Sequence, residues 1–370
     1  MHTTHKEKNN VPGSIQIEDG PRFEGYFFGR RLGTQEHMTG EVVFNTGMVG
    51  YPETLTDPSY RGQILVFTYP LIGNYGVPMT DSDEGVSRYL ESNAVHVRGV
   101  IVCDYSFEHS HYAAVESLDA WLRAHGVPGL YGVDTRALTK HLRERGTCQG
   151  MMVNTPARTR KSVVSPPVSE GSFFVDEVSV AAPVRYERGK KTVVLVDCGA
   201  KHNIIRSLLV RNLTVIRIPW DYDFSRERYD GIVVSNGPGD PTQCEKTIQH
   251  VRRALGDDKP IFGICLGNQI LALAAGASTY KLPYGHRGQN QPCIEAGTNR
   301  CVITSQNHGY AVDESTLPRT WKVWYRNLND NTNEGIRHTT KPFMSVQFHP
   351  EATPGPTDSN ALFDTFTQLL

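Results

Sequence analysis

The chain of 370 residues contains no apolar run near the roughly 20 residues needed to cross a bilayer. Its start, Met1 to Asn10, is polar and lacks an apolar core, which argues against a secretory signal. That start also lacks Arg, which argues against a transit peptide. No C-x-x-C pair occurs, and the seven cysteines are an odd number scattered along the chain. A disulfide framework or a zinc site is therefore not expected, and a reducing compartment such as the cytoplasm is. His109 and His111 have no Cys or acidic neighbour at ligand spacing, so they read as surface histidines. Charge of either sign is not in excess. The net value is −1 and the sequence pI is about 6.9, and neither suggests a nucleic-acid groove or an anionic membrane as the main partner. Neither G-x-x-x-x-G-K nor G-x-G-x-x-G spacing is met, no ATP-binding signature is present, and no internal repeat stands out.

What remains is an ordinary globular composition, with 38% hydrophobic and 21% charged residues. The length suits two domains with separate cores. Residues 1–13 read as a disordered lead. Residues 14–153 read as a β-rich α/β domain, with strand patterns near Ile15 to Glu18, Phe23 to Phe28, Glu41 to Phe44, Gln63 to Thr68 and His96 to Cys103. Two helices follow, Ser117 to His125 and Thr135 to Arg145, the second with Asp134 as N-cap. Residues 154–190 are rich in Ser, Pro, Arg and Lys and read as a linker. In residues 191–370 short apolar strands alternate with helices, the signature of a mostly parallel sheet flanked by helices. In such sheets functional loops gather at the carboxyl ends of the strands.

Three loops carry chemistry. Gly263-Ile264-Cys265-Leu266-Gly267 follows the apolar Pro260-Ile261-Phe262 and precedes the Ala/Leu-rich run Ile270 to Ala275. This is strand, tight turn, helix, with a thiol at the turn, the cysteine counterpart of a nucleophile elbow. A helix N-terminus and a nearby histidine are settings in which thiols ionise. A random cysteine is more often a small buried hydrophobe, and the other six, which lack such a frame, are left as structural. His349-Pro350-Glu351 ends the apolar strand Phe343 to Phe348. In extended chain the imidazole and the carboxylate point to the same side, so His349 is the candidate base and Glu351 the group that orients it. Ser235-Asn236-Gly237-Pro238-Gly239-Asp240-Pro241 follows a further strand. A bare Pro-Gly pair is usually a turn. Here the loop also offers amides, and Gly239 and Leu266 are the candidate oxyanion donors. Ser305 to Tyr310 is polar and reads as a turn.

At these residues the chain resembles class I, triad-type glutamine amidotransferases, and more closely the glutaminase subunit or domain of carbamoyl-phosphate synthetase. The likeness runs from about Ile15 to Leu370. In the N-terminal half it rests on Gly40 to Gly47, Gly50 to Glu53, Thr56 to Tyr60, Tyr69 to Tyr75 and Gly132 to Arg136. The resemblance implies glutamine hydrolysis through a thioester on Cys265. It also implies glutamine contacts at Ser59, Gly237, Gly239, Leu266, Gln269, Asn307, Gly309 and Tyr310. Ser59 would be the N-terminal half's contribution. No cofactor or metal is expected in this chain, since ATP and Mg belong to the synthetase partner that receives ammonia and makes carbamoyl phosphate for pyrimidine or arginine synthesis. That partner is expected as a separate large subunit or as a fused domain. Two positions depart from the family pattern: Asn268 stands where His is usual, and Tyr310 where Phe is usual. The competing expectation is a docking or regulatory subunit with weak glutaminase activity.

Overall fold

The computed structural model describes residues 10–154 and 172–370. They fall into two compact units. The first holds 10–56, 60–81, 94–154 and Ser172. The second holds Asp57–Ser59, Ser82–Asn93 and Phe173–Leu370, so two short pieces of the N-terminal half belong to the C-terminal unit.

The first unit is built on a closed barrel. Its strands run Pro12–Ile17, Cys148–Val153, His37–Asn45, Gln63–Phe67, Gly99–Ile101, Pro128–Tyr131 and Arg22–Gly29 around the ring. Closure leaves no free strand edge. Ile15, Ile17, Val42, Val43, Ile64, Leu65, Val66, Val100 and Ile101 are fully buried. Helix Leu118–Ala124 starts at Ser117, whose hydroxyl accepts from the Ala120 amide. Helix Thr135–Arg145 starts at Asp134, whose carboxylate accepts from the Ala137 amide, and ends at Gly146 with φ 91°. The lead is shorter than predicted. Pro12 and Gly13 already pair with Tyr26 and Gly25, and residues 1–9 lie outside the described part.

The second unit carries a sheet of ten strands. Their order is Val184–Tyr186, Thr214–Pro219, Thr192–Asp197, Gly231–Val234, Ile261–Ile264, Phe343–Val346, Asn333–His338, Trp321–Asn327, Ser278–Glu295 and Cys301–Asp313. The run from Thr214–Pro219 to Phe343–Val346 is parallel. These strands are mostly apolar because both faces are covered. Val193, Leu195, Val215, Val233 and Phe262 pack with Ile204, Ile205, Phe363 and Phe366 in one core. Val194, Val196, Ile216, Ile232 and Ile261 pack with Val251, Ile270 and Leu271 in the other.

Two more expectations change here. The linker does not extend to 190: Val184–Tyr186 adds an antiparallel edge strand to Thr214–Pro219, and Val175 is buried in a core. The rest of the predicted linker, 155–171, lies outside the described residues. Ser305 to Tyr310 is strand rather than turn, because it lies inside Cys301–Asp313 and pairs with Ser278–Glu295 across register shifts. The antiparallel extension built from 278–338 has too many polar residues and bulges to show a clear period of two. Among the described residues no helix is long and apolar enough to cross a membrane.

Candidate active site

Strand Ile261–Ile264 hands the chain to helix Leu266–Ala275 through Cys265 alone. Cys265 has φ 55° and ψ −105°, a region a β-carbon disfavours. Such a residue stores roughly 1–3 kcal/mol, which surrounding structure must hold in place. The two glycines make the turn sterically possible. A β-carbon on Gly263 would sit 2.5 Å from the Gly267 carbonyl oxygen, and one on Gly267 would sit 2.1 Å from that of Val234. The Cys265 amide donates to Val346 O at 2.9 Å, which ties the turn to the neighbouring strand.

That neighbouring strand delivers the base. Its residues alternate, so Met344, Val346 and Phe348 enter the core while Ser345, Gln347 and His349 share the other side. His349 Nδ1 lies 2.7 Å from Glu351 Oε1. Both side chains are almost wholly buried. Burial pulls the imidazole's pKa down. The Glu351 charge and then the Cys265 sulfur outweigh it and raise it to about 10. Burial alone would raise the Glu351 carboxyl, but Lys201 and His349 hold it at about 2. His349 Nε2 is buried and makes no aligned hydrogen bond, so the sulfur acts on a ring edge with no other polar partner. The structure thus brings Cys265, His349 and Glu351 together.

The Gly/Pro loop lies against the same elbow. A β-carbon on Gly237 would meet the Cys198 carbonyl oxygen at 2.1 Å and Leu266 Cδ2 at 2.8 Å, so the loop packs on the start of the elbow helix. Gly239 has φ 87° with open space around it. Leu266 opens the helix, where an amide has no acceptor within the helix. Asn236 Nδ2 donates to Ser59 Oγ at 2.9 Å, and its Oδ1 accepts from the Lys201 amide at 3.1 Å. Asp57 Oδ2 accepts from Asn307 Nδ2 at 2.9 Å. The short piece Asp57–Ser59 packs with the second unit, which is how a residue of the N-terminal half of the sequence reaches this cluster. Asn307 O lies 3.6 Å from the Cys265 sulfur. Gln269 Nε2 donates to Tyr310 O at 2.9 Å, and the Tyr310 hydroxyl lies 3.4 Å from Asp240 Oδ2. Gly309 sits in strand Cys301–Asp313 between these two neighbours of the elbow.

Sequence reasoning missed four residues of this cluster. Lys201, buried to 2% exposure, places Nζ 3.1 Å from Glu351 Oε1 and 3.9 Å from Glu91 Oε2. Arg206 Nη2 completes the charge balance 2.6 Å from Glu91 Oε1. Gln347 Nε2 lies 3.7 Å from the Cys265 sulfur. The alternation that sets Gln347 on the same side as His349 was visible in the sequence. Glu91 is distant in sequence and carried no signal.

One group of possible metal ligands occurs among the described residues: His286, His308 and Glu334, with ligand atoms within 4.8 Å of one another. Their ring nitrogens are already engaged. His286 faces Glu334 at 3.3 Å and Asp330 at 2.8 Å. Burial lowers the His286 pKa, yet these carboxylates outweigh it and keep the value raised. His308 Nδ1 lies 2.8 Å from Tyr310 O, so it carries the proton. Burial and then the His286 charge push the His308 pKa well down. Protons bridge this network and hold the strand that bears Asn307 and Tyr310.

The C-terminal residues 194–369 match the family model for class-I glutamine amidotransferases, and residues 15–152 match that for the carbamoyl-phosphate synthase small chain, CPSase domain. The carbamoyl phosphate synthase arginine-specific small chain of Aspergillus fumigatus is 50% identical over 362 residues, which are 95% of this chain and 78% of that protein. This chain belongs to the carbamoyl phosphate synthase small-chain family. It is also 50% identical over 359 residues to the multifunctional protein CAD of Squalus acanthias and 46% identical over 388 residues to the multifunctional protein pyr-3 of Neurospora crassa. Each match covers 96% of this chain, which spans only 16% of the first and 21% of the second. The family is therefore found both as a chain of similar length and as a small part of much longer polypeptides.

Proposed function

We propose that this chain hydrolyses glutamine to glutamate and ammonia and passes the ammonia to a carbamoyl-phosphate synthetase, either a large subunit or a fused domain. The observation that carries this reading is the strained Cys265 beside a buried imidazole whose other nitrogen is held by Glu351. His349 takes the thiol proton as the sulfur attacks the side-chain carbonyl carbon of glutamine. The carbonyl oxygen gains the negative charge and meets the amides of Gly239 and Leu266. The intermediate then collapses. The C–N bond breaks, and the nitrogen leaves as ammonia with the proton from His349. Water then attacks the thioester while His349 takes its proton. The sulfur leaves, regains that proton, and glutamate is released.

Ser59, Gly237, Gln269, Asn307, Gly309 and Tyr310 are the proposed contacts to glutamine. In this reading Glu351 keeps the imidazole in one tautomer and stabilises its charged form. The chain itself uses no cofactor, and ATP and Mg act at the synthetase. The free cysteines suit the reducing cytoplasm. Burial of the site protects both the thioester and the neutral amine from solvent.

The test is ammonia release from glutamine, measured first on the chain alone and then with its synthetase. Cys265→Ala should remove glutamine-dependent carbamoyl phosphate synthesis and leave synthesis from added ammonia intact. Unchanged glutamine use by Cys265→Ala would refute the thioester.

A further inference from the structure

The sulfur of Cys265 lies between two groups of opposite character. Asn307 O at 3.6 Å accepts a hydrogen bond from the thiol and would repel a thiolate. Gln347 Nε2 at 3.7 Å donates, and so favours the thiolate. Which of the two amide atoms of Gln347 faces the sulfur therefore matters.

That choice is forced by hydrogen bonds behind the site. Gln347 Oε1 accepts from Asn268 Nδ2 at 3.0 Å and from Gln269 Nε2 at 3.1 Å. With two donors holding the oxygen, the amide nitrogen has to turn to the sulfur. Asn268 is oriented in turn, because its Oδ1 accepts from Ser345 Oγ at 2.8 Å. Ser345, Asn268 and Gln347 are fully buried. No water competes for their bonds, so a reversed amide would leave buried donors and acceptors unpaired.

We infer that Gln347 is a donor to the nucleophile, and that Asn268 and Ser345 are positioning residues that hold its amide toward Cys265. This rests on Cys265 being the nucleophile. The ionisable groups around the sulfur are His349, with Glu351 and Lys201 behind it. The imidazole faces the sulfur without an aligned hydrogen bond, so Gln347 supplies the donor that offsets the Asn307 carbonyl. Asn268 must both donate and accept. A neutral imidazole also offers one donor and one acceptor, whereas an aliphatic side chain offers neither.

The experiment is the pH dependence of Cys265 alkylation by iodoacetamide, a small amide, followed by mass spectrometry on the full chain. A charge-assisted hydrogen bond supports a shift of about one pH unit. Gln347→Leu should move the midpoint up by about that much and slow labelling roughly tenfold below it. Asn268→Leu should do the same, and Asn268→His should restore the parent midpoint. A purely structural role would change yield or thermal stability and leave the midpoint in place. If Gln347→Leu does not fold, Gln347→Met, unbranched and close in length, gives the same reading. Normal labelling with an unmoved midpoint in a folded Gln347 variant overturns the inference. A parent chain that does not label at Cys265 overturns the thioester reading, and this inference with it.

Discussion

Replacing Lys201 with Met tests the buried charges behind the triad. The ammonium lies 3.1 Å from Glu351 and 3.9 Å from Glu91, both fully buried, and it also acts on Asp57. Lys201 immediately precedes helix His202–Leu209, where a cation is disfavoured by roughly 0.3–1 kcal/mol. Its position shows that the carboxylates dominate. Lys201→Met keeps the length of the stem but leaves the buried cluster one positive charge short, with Arg206 still on Glu91 and His349 still on Glu351. Breaking a buried pair in this way costs about 3–5 kcal/mol. For a unit of about 200 residues each kcal/mol lowers Tm by about 2–4 °C, so Tm should fall by roughly 6–20 °C.

The loss should depend on pH, with a sign fixed by linkage. In the parent, the folded Glu351 value is lowered to about 2, so its contribution is present above the unfolded value and is lost as pH falls through the window from about 4.5 to 2. In the variant, burial acts on these carboxylates with less opposition, and their folded values rise, as burial already raises that of Glu91 in the parent. Where they exceed the unfolded values, the folded variant binds more protons than the unfolded one, so its deficit shrinks as pH falls toward the ordinary carboxylate range. Urea unfolding followed by tryptophan fluorescence measures this directly. Adding Glu91→Gln should recover part of the loss, because the two groups are coupled. A deficit under about 1 kcal/mol that does not vary with pH would refute the argument, since an exposed pair would behave that way.

Two further outcomes are expected. Gly267→Ala should abolish soluble folded protein or cost well over about 3 kcal/mol, because its β-carbon meets the Val234 backbone oxygen at 2.1 Å, whereas Gly239→Ala has open space and only a positive φ to resist. Thermal unfolding of both variants, with glutamine turnover of the second, checks the contrast, and Gly239→Ala should lose more turnover than stability. Tyr310→Phe should leave glutamine kcat/KM within about twofold, since the hydroxyl's contact with Asp240 is long at 3.4 Å and makes only a weak hydrogen bond.

Much of the site was readable because it is local. The glycines around Cys265 declare a tight strand-to-helix turn, and the turn exists with the φ such a motif needs. His349 and Glu351 are two residues apart and were legible as a pair, but they meet across a turn, closed by the Ala352 amide donating to His349 O at 3.0 Å, rather than along the extended chain that the sequence suggested. The same alternation marks Gln347, though a glutamine beside an apolar strand end suggests nothing until its neighbour is known to be a sulfur. Ser305 to Tyr310 went wrong because polar residues in a strand imitate a turn when the partners that satisfy them are distant in sequence, as Asp57 is from Asn307.

The residues themselves determined where the chain turns, which segments are buried on both faces, and which thiol sits at a helix start, since each follows from neighbours a few positions away. Tertiary structure alone decided that Glu91, Lys201 and Glu351 share one buried charge cluster, and that Asn268 settles which atom of Gln347 meets the sulfur. Those pairings join residues about 80 to 260 positions apart in a low-dielectric interior, where partner and orientation depend on the packed geometry and leave no periodic trace along the chain.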